Sequence, residues 1–152
     1  MTPDERTPLY FRLFNEIGII NQLSTAVLES RLPEGLLAPH FSVLNHLVRV
    51  EDGRTPLEMA RAFQVPKTTM THQVSVLERH GLVSQAPNPD DGRSKRVWLT
   101  DKGRSLRESI VQGFGDIVDR WSEVISVEEA ADLVPRLERI RKYLDEARSG
   151  AE

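Results

Sequence analysis

The chain has 152 residues, of which 39% are hydrophobic and 28% charged, with 9 glycines and 9 prolines spread along it. That length suits one domain with a real core, and the composition excludes a disordered chain, a fibrous repeat and two independent enzymes. The absence of cysteine excludes disulfides, thiolate nucleophiles, thiol redox sensing and Cys-based zinc sites, while the net charge of −3, taken whole, argues mildly against a nucleic-acid partner.

The polar stretch Met1 to Thr7 and the short apolar run Ile17-Gly18-Ile19-Ile20, which ends at Asn21, match neither a signal peptide nor a membrane span, so a cytoplasmic location is expected. From Leu9 to Leu32 apolar residues recur at Leu13, Ile17, Ile20 and Val27. Tyr10, Phe14, Leu23 and Leu28 widen that stripe beyond what one surface helix needs. Pro33 and Gly35 end this helix, and a second pattern runs from Pro39 through Leu44, Leu47 and Val48 until Glu51-Asp52-Gly53 breaks it. Thr55-Pro56-Leu57-Glu58 is a capping signature: a Thr to cap, Pro at the first helical position and a Glu three residues after the Thr to reach back. The helix it starts stops near Gln64-Val65-Pro66, because the ring of Pro66 bars Val65 from helical geometry.

On the next helix, at about 100° per residue, Met70, Val74 and Leu77 form one inward stripe, and Thr68, His72, Ser75 and Arg79 lie on the opposite face, with Thr71 and Lys67 beside them. Gly81 supplies the left-handed stop. Leu82 to Ala86 and Lys95 to Leu99 read as two short strands around a long, turn-rich tip from Pro87 to Ser94. Thr100 is placed to cap one long helix through Leu106, Ile110, Phe114, Ile117 and Trp121. Ser126 with Glu129 forms a second capping box, and Leu133, Leu137, Ile140 and Leu144 give a last amphipathic helix in which Pro135 should produce a kink. The fold expected is mainly α with a small β-hairpin wing: a winged helix-turn-helix over residues 38–104, flanked by dimerisation helices over 7–35 and 105–148 in a single unit of 1–152.

Counting charge by segment changes the meaning of its total. Between Arg61 and Arg107 nine basic residues stand against four acidic ones, a net +5, which leaves eleven against nineteen, a net −8, in the remainder. A basic reading element set in an acidic body is what a duplex-binding protein needs. Thr68, Thr69, Thr71, His72 and Ser75 are the candidates to read base edges, with Lys67 and Arg79 on phosphates, although a base in the last helical turn also suits the helix dipole. On the hairpin Arg93, Lys95 and Arg96 are candidate contacts, and Arg93, after Gly92, has the reach to enter a narrow minor groove. Asp91 has two readings of equal weight: an acid that holds the Arg93 guanidinium, or one that caps its own turn.

The runs Leu77-Glu78-Arg79-His80-Gly81-Leu82-Val83, Pro89-Asp90-Asp91-Gly92-Arg93 and Val97-Trp98-Leu99-Thr100-Asp101-Lys102-Gly103 resemble the MarR family of bacterial multiple-antibiotic-resistance regulators. The resemblance covers most of the chain, helical arms included. It implies an obligate homodimer that reads a pseudo-palindromic operator, usually represses, and is often released by a small aromatic or phenolic ligand bound between the arms and the DNA-binding lobe. It puts the recognition helix on Pro66 to His80, the wing on Leu82 to Leu99, and the wing-tip acid and arginine on Asp91 and Arg93. Three positions depart from the pattern. Gln64 stands where Gly is frequent, at a cost of roughly 1 kcal/mol if the position needs a positive φ. Asn88 replaces a frequent Asp, and Gly92 replaces a frequent Arg.

Tyr10, Phe14, His40, Phe41 and His46 are the candidates to line a ligand pocket, with a core role as the favoured alternative. No cofactor and no metal site are expected, because His40 and His46 are six residues apart and His72 and His80 eight, neither a helical ligand spacing. No nucleophile–base–acid constellation or phosphate loop suggests an enzyme, and too few aromatics accompany the basic segment for single-strand stacking. The remaining alternative is a winged helix used for protein contacts.

Overall fold

A computed structural model of the chain describes residues 3–149. The elements run α1 (Pro3–Glu29), α2 (Ala38–Arg49), α3 (Pro56–Phe63), α4 (Lys67–Arg79), β1 (Val83–Asn88), β2 (Asp91–Leu99), α5 (Asp101–Gln112), α6 (Gly115–Ser122) and α7 (Val127–Ser149). The chain divides into two compact units, one running through Ile110 and the other from Val111.

In the first unit one hydrophobic core joins α2, α3, α4 and the hairpin. Val43, Leu44 and Leu47 meet Met59 and Ala60, then Met70, Val74 and Leu77, and finally Leu82, Val83 and Val97. The expected stripe on α4 is thus inside, and Met70 and Leu77 are wholly so. Each helix end has a local cause. The N–H of Ala38, at the start of α2, donates to Glu29 Oε1 (2.9 Å), and that of Leu37 donates to His40 Nδ1 (2.9 Å), so a histidine does what a capping-box Glu usually does. The α3 capping box is complete: Glu58 N–H donates to Thr55 Oγ1 at 3.2 Å and Thr55 N–H to Glu58 Oε2 at 2.7 Å. That helix closes on Gln64 in the left-handed region (φ 60°, ψ 43°), and α4 is followed by Gly81 at φ 70°.

The hairpin differs from its sequence reading. Both strands extend into the expected loop, so the turn is only Pro89-Asp90, between the paired residues Asn88 and Asp91. The register jumps between Pro87, which faces Lys95, and Asn88, which faces Asp91, leaving Gly92, Arg93 and Ser94 as an irregular bulge in β2. Pro87 has no N–H to give the ladder, which suits it to that interruption. A third backbone pairing had no sequence signal at all: Val97 N–H donates to Arg54 O (2.9 Å) and Gly53 N–H to Val97 O (3.0 Å). Asp52 fastens the same place, accepting the N–H groups of Gly53 and Leu99 on Oδ1 at 3.0 and 2.9 Å. Gly53, at φ 76°, leaves room for the indole of Trp98, which a side chain there would strike.

Beyond α5 the single long helix expected from periodicity is broken at Gly113-Phe114, and α6 restarts with Ile117 and Val118 N–H groups donating to Phe114 O (3.0 and 2.9 Å). Glycines at 113 and 115 each weaken helix by about 1 kcal/mol relative to alanine, enough to place a break where the apolar period alone shows none. The second unit continues through the Ser126–Glu129 capping box, with bonds of 2.8 and 3.1 Å, into α7, which runs through Pro135 without ending. None of the residues of α6 is buried, and Trp121, Val124, Leu133 and Leu144 stand exposed. On α1, too, Tyr10, Phe11, Ile20 and Leu23 are exposed.

Candidate nucleic-acid interface

Because Met70, Val74 and Leu77 anchor α4 from below, its outer face is set rigidly toward solvent. Lys67, Thr68, Thr69, Thr71, His72, Ser75 and Arg79 are all exposed there. The hydroxyl of Thr71 donates to Lys67 O at 2.9 Å, so toward a base edge it has only acceptor capacity left. Pro66 caps α4 with no side-chain hydrogen bond, which leaves the first-turn amides available to a phosphate.

The wing is bolted to this helix and to the start of α5. Gln85 Nε2 on β1 donates to Glu78 Oε2 on α4 (2.9 Å), Thr100 Oγ1 donates to Gly81 O (2.7 Å), and Lys102 Nζ to His80 O (2.8 Å). Thr100 Oγ1 also accepts the N–H of Gly103 at 3.0 Å, capping α5 as its position suggests. The imidazole of His80, just past the end of α4, has Nδ1 2.9 Å from Val76 O and Nε2 3.2 Å from Glu34 O, tying the end of α4 to the segment before α2.

On the hairpin the basic residues fall into two groups. Arg93 and Lys95 are exposed. Arg96 instead folds back, its Nη2 on Asp90 Oδ2 at 2.7 Å and its Nε on Asn88 Oδ1 at 3.2 Å, so part of its charge is spent within the wing. Asp91 takes the second of its two readings: Oδ1 accepts the backbone N–H of Arg93 at 2.9 Å, an Asx-type turn. Sequence reasoning gave no side-chain partners to Asn88, Gln85 and Asp52, which hold the wing in place. An Asn before Pro marks a turn in sequence, but nothing in sequence tells which side chains it will hold.

The five residues read as a possible pocket are spread over the lobe and α1. Tyr10 and Phe14 line an open groove of about 500 Å³ with Arg6, Thr7 and Phe11. His40 is buried, with Nδ1 engaged by Leu37, and burial first, then the charges of His72 and His80, hold its pKa below the ordinary imidazole value. Phe41 is half-buried beside it in sequence. His46 packs on Phe63, ring centroids 5.1 Å apart, with Arg54 Nη1 3.3 Å from its Nε2; burial first, then Arg54 and Arg49, lower its pKa as well. Among the described residues no helix is long and apolar enough to cross a membrane, and no group of three or more His, Asp or Glu is placed to hold a metal ion.

Residues 34–94, which hold α2, α3, α4 and the hairpin tip, match a family model described as MarR family. A protein of Rhodopseudomonas palustris called transcriptional activatory protein BadR is 30% identical over 139 residues, covering 90% of this chain and 77% of that one. Among solved structures, a mutant MarR of E. coli complexed with operator DNA superposes with a TM-score of 0.71 at 27% identity, covering 85% of this chain and 93% of that chain. The PcaV transcriptional regulator of Streptomyces coelicolor, in complex with its natural ligand, shares the fold at a TM-score of 0.67 and 22% identity, covering 83% and 89% of the two chains.

Proposed function

The chain belongs to the MarR family of transcriptional regulators, and from that premise we propose that it binds duplex operator DNA as a homodimer, α4 in the major groove and the wing at the adjacent minor groove. The observation that carries this is the outer face of α4: polar and basic side chains, all exposed, on a helix fixed by a buried apolar stripe and flanked by a wing with Arg93 and Lys95 free to reach. The proposed contacts are Lys67, Thr68, Thr69, Thr71, His72, Ser75 and Arg79 on the helix and Arg93, Lys95 and Arg96 on the wing, with Asp91 shaping the turn. Residues 38–104 form the reading lobe, and 7–35 with 105–148 the arms that pair. The exposed apolar residues of α1, α6 and α7 support pairing, since a monomer would leave them in water.

Repression by occupying the operator, and release by a small aromatic or phenolic ligand in the cytoplasm, complete the proposal. They rest on the resemblance and on a ligand-bound neighbour; the relative called an activatory protein makes the sign of control a quantity to measure. Selection of bound duplexes from a random pool tests the reading. A two-fold site with half-sites roughly 10 bp apart, or a multiple of that, and affinity falling steeply with salt is the expected result. Binding that ignores salt and sequence would favour the protein-contact winged helix instead. A promoter reporter with and without the regulator then reads the sign.

A further inference from the structure

We propose that Asn88 is the positioning residue of the wing, an uncharged amide that pins both ends of the bulge from which Arg93 reaches toward DNA; this rests on the DNA-binding reading above. Two groups that can only donate converge on one atom of the Asn88 side chain: the N–H of Asp90 at 3.1 Å and Nε of Arg96 at 3.2 Å. That atom is therefore the carbonyl oxygen Oδ1, and the amide orientation follows from the chemistry of its neighbours. The other end, Nδ2, donates to Ser94 Oγ at 3.0 Å, and Ser94 Oγ in turn donates to Asp91 O at 3.3 Å. One side chain thus holds both flanks of the Gly92-Arg93-Ser94 bulge: the turn and Arg96 through its oxygen, Ser94 and Asp91 through its nitrogen. Arg93 projects from between these fixed points, its own N–H held by Asp91.

The direction of the chain selects the residue type. An Asp at 88 would offer two acceptors and no donor. Ser94 would have to turn its only hydroxyl proton toward that carboxylate and release Asp91 O, while a new negative charge would stand beside Arg96. The uncharged amide keeps the bulge pinned at both ends and leaves the positive field of the wing undiminished.

A double-mutant cycle with the full chain and its selected duplex tests this. Asn88→Ala should weaken binding by about tenfold, the worth of one misplaced groove contact, where Arg93 is present, and by less than about twofold in the Arg93→Ala chain. Asn88→Asp should weaken binding too, despite being isosteric, and the melting temperature should hold in all three variants because the substituted residues lie at the wing tip, outside the buried core. Equal losses from Asn88→Ala with and without Arg93, or no loss at all, would overturn the proposal. If the wild-type chain binds no duplex, the DNA-binding reading has failed, and the wing is judged by hydrogen exchange of the Arg93 amide: faster exchange in Asn88→Ala sustains the organising role, unchanged exchange removes it.

Discussion

Asp91 and Arg93 are joined through the backbone and not through charge: Oδ1 of Asp91 accepts the N–H of Arg93 at 2.9 Å, while the guanidinium of Arg93 has no ion-pair partner among the described residues. The acid shapes the turn and leaves the cation to reach outward. Arg93→Ala should therefore weaken operator binding and flatten its salt dependence by about one phosphate equivalent, with stability changed by no more than a few tenths of a kcal/mol. Asp91→Asn keeps an acceptor for the turn and should bind within about twofold of wild type, which fluorescence anisotropy across a salt series reads for both variants. A wild-type slope in Arg93→Ala would remove the wing from the interface.

Gln64 ends α3 at φ 60°, the one non-glycine residue with positive φ among those described. Glycine adopts that conformation without the clash of a Cβ, so Gln64→Gly should raise stability by up to about 1 kcal/mol, even though it frees the unfolded chain somewhat. Gln64→Val, β-branched, should lower it. A urea titration in which the Gly variant unfolds first would show that the left-handed turn is not strained.

Gly103, in the first turn of α5, packs where a Cβ would overlap the carbonyl oxygen of Leu82. The obstacle is backbone held in the sheet-to-helix corner, so it cannot swing aside as a side chain would. Gly103→Ala should cost about 2–4 kcal/mol, a large effect for one methyl, readable by thermal melting. Gly92→Ala, with nothing near its added Cβ, is the control that should leave the melting temperature close to wild type.

His40 and His46 are both held below the ordinary imidazole value, burial being the larger cause in each. Folding therefore favours their neutral forms. That contribution is fully present above the unfolded pKa of about 6.5 and is lost as pH falls below it toward the folded values. Protonation of His40 would also cancel the lone pair that receives the Leu37 N–H at the start of α2. Unfolding free energy should drop between pH 7.5 and pH 5.5, and His40→Gln, which keeps an acceptor but cannot titrate, should flatten the drop. An equal drop in that variant would clear His40 of the effect.

Much of the architecture was legible because its signals are local. Thr55 with Glu58 and Ser126 with Glu129 begin helices through hydrogen bonds spanning three residues, Pro66 forbids helix at Val65, and Gly81 ends α4 because its φ of 70° suits glycine. The spacing of Met70, Val74 and Leu77 named both the buried and the exposed face of α4, and with them the surface proposed to read DNA. Segment charge did the same for the wing, which the whole-chain total of −3 had concealed.

What only the tertiary structure decided depends on groups distant in sequence or on choices between near-equal partners. The Arg54–Val97 pairing and the grip of Asp52 on Leu99 need a loop and strand β2 brought together across more than forty residues, and no periodicity encodes a one-residue bridge. In the wing, Asp90 and Asp91 are adjacent acids before three basic residues, and composition cannot say which acid takes which cation. The bulge settles it: the backbone geometry after Pro87 turns Asp90 toward Arg96 and Asp91 toward the Arg93 amide, leaving Arg93 outward. Sequence by itself thus determined most of the elements and the faces of α4, because those follow from bonds and side-chain periods within one segment, but not the α5–α6 break or the reach of the hairpin strands. The orientation of individual charges waited on the fold, because a side chain's partner is set by distance in space, which only packing creates.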